Sequence, residues 1–85
     1  MLPVYETMEA IEEHLFRYEV QQATAQLPDL IDALASLAAG MSEAQLSRLN
    51  AILTSINEAL ASQDYVLMAD ILRFELRPLL QRTLS

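Results

Sequence analysis

The segment from Asp64 to Leu80, DYVLMADILRFELRPLL, constrains this chain more than any other. At about 100° per residue, one helical face carries Tyr65, Met68, Leu72, Leu76 and Leu79. A second apolar patch, Leu67, Ile71 and Phe74, lies beside it. Asp70, Arg73, Arg77 and Gln81 form the wet strip that is left. A helix this apolar has to be covered on several sides, by its own chain or by a partner. Glu75 stands inside the apolar arc, with Ile71, Leu72, Pro78 and Leu79 as its neighbours at three and four residues. None of these can pair with a carboxylate. Burying it requires hydrogen bonds or a cation from elsewhere, and Arg17, Arg48 and the phenol of Tyr18 are the candidates. The alternatives are a groove-edge glutamate that reaches water and a polar specificity group within a partner-binding surface. The pattern predicts an inter-helix or inter-subunit donor for Glu75.

The rest of the chain reads as helix. Helix formers dominate, strand alternation is absent, and one Gly and three Pro are present. Pro3 suits an early helical position. Val4, Met8, Ile11, Leu15, Tyr18, Gln22 and Ala25 then follow a 4-3 spacing. A second stripe, Phe16, Val20, Ala23, Leu27, Leu30, Leu34, Leu37 and Met41, keeps that spacing past Pro28. Pro28 kinks or ends the helix, and a kinked continuous helix is the favoured expectation. Gly40 is expected to end this segment in a left-handed conformation. Ser42-Glu43-Ala44-Gln45 reads as a capping box. The next helix carries Leu46, Leu49, Leu53, Ile56 and Leu60, flanked by Ile52 and Ala59. Ser62-Gln63-Asp64 connects it to the last helix, with Asp64 as cap. That helix is expected to run to about Thr83 and to bend at Pro78. The expected fold is all-α: an antiparallel up-down bundle of three long helical segments in one domain, residues 1–85, the first segment kinked or broken near Pro28.

Charge narrows the choice of partners. The net charge is −7. Residues 1–32 hold Glu6, Glu9, Glu12, Glu13, Glu19, Asp29 and Asp32 against Arg17 alone, whereas residues 65–85 hold more arginine than acid. Such a chain repels phosphate backbones and anionic lipid, so neither nucleic acid nor membrane is expected as a partner. The N-terminus MLPVYETMEAIEE lacks the basic start of a signal peptide, and no apolar run approaches a membrane span. A cytoplasmic location is the expectation. With no cysteine, disulfides and thiolate chemistry are excluded.

No catalytic constellation is legible. His14 is the single histidine, and Ile11 stands where a Glu-x-x-His ligand pair needs its glutamate. Glu6, Glu9 and Glu13 share the face opposite Met8, Ile11 and Leu15, which is the wet face. Glu13 precedes Arg17 by four residues, a surface pair. The serines lack a nucleophile-elbow context, and a single glycine cannot build a phosphate loop.

In Asp64–Leu80, an aspartate–tyrosine start, an alanine–aspartate step and an aromatic–glutamate–leucine run ending in proline stand together. This segment resembles the C-terminal helix of small uncharacterised bacterial all-helical proteins. The resemblance implies a bacterial source and a helical fold, and no activity. Size, acidity and helical layout are similar to flagellar and type III export chaperones by architecture alone.

The expected function is therefore a non-enzymatic, self-associating protein-binding module, adaptor- or export-chaperone-like. Its partner surface would be Leu67, Ile71, Phe74 and Glu75, and it would need no cofactor or metal. The alternative is a homodimeric structural protein without a separate partner. An apolar content of 53%, high for so small a domain, fits either.

Overall fold

The computed structural model of the chain describes residues 3–84. All regular structure among them is helical. The elements are α1 (Pro3–Phe16), α2 (Val20–Ala25), α3 (Leu27–Ala38), α4 (Glu43–Ala61), α5 (Tyr65–Ile71), a π-helical turn (Leu72–Leu76) and α6 (Arg77–Leu84). Gln26 keeps right-handed helical angles between α2 and α3. The last three elements follow one another without a gap. The described residues thus form four helices, not the three long segments expected from the sequence.

The break that adds a helix falls at Arg17–Glu19; near Pro28 the chain passes from α2 to α3 through Gln26 alone. Tyr18 has a left-handed backbone, φ 60°. Its N–H donates to the Leu15 carbonyl at 3.1 Å, and the Glu19 N–H donates to the His14 carbonyl at 2.8 Å. These two bonds define a Schellman ending for α1, with tyrosine in the position glycine usually takes. The same device ends α4. Gln63 has φ 57°, its N–H donates to Leu60 at 3.1 Å, and the Asp64 N–H donates to Ala59 at 2.8 Å. Gly40, expected to supply the left-handed residue after α3, has no positive φ. Pro28 lies in the first turn of α3, where its missing N–H costs little.

The residues cluster into two compact units, one up to Ala39 and one from Gly40. In the first, α1 packs against α2 and α3. Val4, Met8, Ile11 and Leu15 of α1 are buried, as are Ala23, Leu30 and Leu34 of the following helices. The first apolar stripe therefore ends at Leu15: Tyr18, Gln22 and Ala25 are exposed. His14 Nδ1 lies 3.0 Å from Glu19 Oε1 and spans the reversal between α1 and α2.

The second unit is a helical hairpin, in which α4 packs against α5, the π turn and α6. The capping box that starts α4 is complete. Gln45 N–H donates to Ser42 Oγ at 3.2 Å, and Ser42 N–H donates to Gln45 Oε1 at 2.9 Å. Asp64 Oδ1 accepts from the Leu67 N–H at 3.1 Å and caps α5. Leu49, Ile52, Ile56 and Ala59 are buried on α4. Met68, Ala69, Ile71, Leu72, Leu76, Leu79 and Leu80 are buried on the other arm.

Pro78 explains the π turn. It has no N–H to return to the carbonyl four residues back, and its ring would crowd that carbonyl in a tight α turn. The chain widens one turn instead, and Arg77 N–H bonds to the Leu72 carbonyl five residues back. Proline here broadens the helix without ending it.

Candidate functional site

At one edge of the packing between α4 and α5, the C-terminal part of α4 and its cap present small side chains. Ser55, Ala59 and Ser62 recur at spacings of four and three residues, so they share one side of the helix. Leu67 and Ile71 oppose them from α5. Small residues facing large ones at the open edge of a hairpin leave a hollow, here about 300 Å³. Ile71 and Ala59 are 2% and 1% exposed and supply apolar surface at its base. Three carboxylates complete the lining: Glu58 on α4, Asp64 at the connection, and Glu75 in the π turn.

Each carboxylate has a different situation. Asp64 is engaged through Oδ1 as the α5 cap. Glu75 Oε1 lies 3.4 Å from Arg48 Nη2 on α4, a long contact between side chains that are both partly in solvent. The inter-helix donor expected for Glu75 is thus Arg48. Arg17 pairs instead with Glu13 at 2.7 Å, and Tyr18 is exposed. Glu58 is exposed, and its carboxylate makes no hydrogen bond or ion pair among the described residues.

Leu67, Ile71 and Glu75, three of the residues singled out from the sequence, line this one hollow. Ile71 is too buried to present a face to another chain, so its role is as floor and not as surface. Phe74 stands outside the lining at 67% exposure, two turns on from Leu67 at 45%. Val66, next to Leu67, is 68% exposed. The α4 contribution was missed in the sequence. Its signal was the small-residue spacing Ser55, Ala59, Ser62, which reads as ordinary solvent-facing filler until a partner helix stands opposite.

In the first unit, Glu12 is the one buried charged side chain among the described residues, 5% exposed. It sits at the edge of the α1 stripe, about 80° round from Val4, where burial depends on packing and not on pattern. No group of three or more His, Asp or Glu side chains able to hold a metal ion is found among the described residues. Among them, too, no helix is long and apolar enough to cross a membrane.

One family model matches residues 3–84: a domain of unknown function (DUF8042). The chain belongs to that family, whose span takes in both compact units. The match agrees with the resemblance read from Asp64–Leu80 as far as a small uncharacterised protein, and carries no likeness to export chaperones. No curated protein and no solved structure matches the chain.

Proposed function

We propose that this member of the DUF8042 family is a non-enzymatic helical module that binds another protein, in the manner of an adaptor or chaperone. Its docking surface is the outer side of α5 and the π turn, together with the hollow between α5 and α4. One observation carries this reading: Val66, Leu67 and Phe74 are large apolar side chains left in water along one short stretch, beside a hollow with an apolar floor. Large apolar side chains exposed beside a concavity are a usual mark of a protein-binding surface. A helix laid along it would use anchors spaced by three, four and seven residues.

The second reading is a homodimer, in which the same side chains cover each other across a two-fold axis. It is favoured by the further exposed apolar residues Phe16 and Ile31. The charge of −7 on each chain opposes the close approach of two copies.

Light scattering at micromolar concentration, run beside binding of a hydrophobic dye, separates the two. A monomer that binds the dye, with dye binding lost in the Leu67→Ser/Phe74→Ser double variant, supports the binding module. A stable dimer that binds no dye overturns it in favour of self-association.

A further inference from the structure

We infer that the partner inserts a lysine or arginine side chain into the hollow, from an amphipathic helix whose apolar residues meet Leu67 and Phe74; this rests on the binding reading above. The hollow is small, about 300 Å³, room for one long side chain with some water. Its base is apolar, through Ala59 and Ile71, and Leu67 forms one wall. Its remaining polar lining is dominated by Glu58, Asp64 and Glu75. An occupant therefore has to be apolar along its length and cationic at its tip. Lysine and arginine have that form, with an aliphatic stem that covers apolar surface while the charged head stays at a polar boundary.

The other occupants fit less well. A leucine would satisfy the floor but strip water from carboxylates with nothing in return. An acidic side chain would be repelled. A second copy of this chain brings a further −7 to a site already carrying three carboxylates. The carboxylates also retain capacity. The Glu58 carboxylate makes no bond among the described residues, Asp64 uses one oxygen as a cap, and Arg48 holds Glu75 at 3.4 Å, longer than a strong charge-assisted bond. An incoming cation can take over Glu75 without dismantling the hairpin.

The test is a displayed library of amphipathic helical peptides selected on the full-length chain. One selected peptide is then compared with its norleucine analogue, in which the basic residue keeps its stem and loses its charge. Selected sequences should carry Lys or Arg between apolar anchors seven residues apart. The norleucine analogue should bind about tenfold more weakly to the native chain, and that gap should shrink to about threefold or less on the Glu58→Gln/Glu75→Gln variant. Both substitutions fall on solvent-accessible side chains, so the fold is retained. Binders without a basic residue, or an analogue of equal affinity, overturn the cation while leaving the binding module standing. A library that yields no binder, with a chain that is dimeric and made monomeric by Leu67→Ser, overturns both.

Discussion

Arg48 of α4 reaches Glu75 of the π turn across the hairpin, Nη2 to Oε1, at 3.4 Å. The pair bridges the two arms at one side of the hollow. Its side chains are 55% and 38% exposed, so solvent screens most of the attraction. Arg48→Ala should lower the unfolding free energy by less than about 1 kcal/mol in urea titration. A loss of several kcal/mol would mean that Glu75 is held as a buried charge, and the hollow could not then exchange Arg48 for a partner's cation.

The last helix divides into side chains that hold the fold and side chains that do not. Leu72 is fully buried, and Leu72→Ala should cost about 2–5 kcal/mol through lost burial and a cavity. Phe74→Ala, two residues on and largely in water, should change stability by no more than about 0.5 kcal/mol. Thermal melts of the two variants check this directly. A Phe74→Ala loss as large as that of Leu72→Ala would place Phe74 in the core and remove it from the docking surface.

The two Schellman endings carry backbone cost in side chains that do not suit them. A non-glycine residue in the left-handed region is disfavoured by about 1–2 kcal/mol, partly offset by the larger unfolded-state entropy of glycine. Tyr18→Gly and Gln63→Gly should each raise stability by about 0.5–1 kcal/mol by denaturant titration. Tyr18→Val should lower it, because a β-branched residue fits φ 60° worse still.

Pro78 and the π turn can be separated. Pro78→Ala restores the N–H that the α pattern needs, at a position where proline inside a helix costs about 3 kcal/mol before the chain adapts. The variant should melt higher, and amide exchange should slow across Leu72–Leu76 as the wide turn tightens. Unchanged exchange there would show that packing of Leu76, Leu79 and Leu80, and not the proline, holds the turn open.

The caps and buried stripes were legible because each depends on local chemistry. Ser42 and Gln45 cap α4 through their own side chains, Asp64 caps α5, and Met8, Ile11, Met68, Leu72 and Leu76 recur at helical spacing. The break at Tyr18 was not legible, because nothing in Arg17-Tyr18-Glu19 is a customary turn residue. Its trace was the handover from the Val4–Leu15 stripe to the Ala23–Leu34 stripe, which reads equally well as two faces of one helix. Near Pro28 the favoured expectation is a kinked continuous helix, and Gln26 keeps helical angles between α2 and α3; at Gly40 the residue type suggests a left-handed ending, yet its φ is not positive. The hollow depends on which residues of α4 and α5 face each other. Spacing within one helix cannot supply that, so Leu67, Ile71 and Glu75 were found and Ser55, Glu58 and Ala59 were not.

The central claim is that Leu67 and Phe74 serve a partner and not the fold. Native mass spectrometry of the purified chain, recovered from a lysate of its native host, tests this most directly when run beside the Leu67→Ser/Phe74→Ser variant. The native chain should carry a stoichiometric second protein, and the variant, equally helical by circular dichroism, should carry none. A native chain found alone or as a dimer of itself, or a variant that keeps the same partner, would contradict the account.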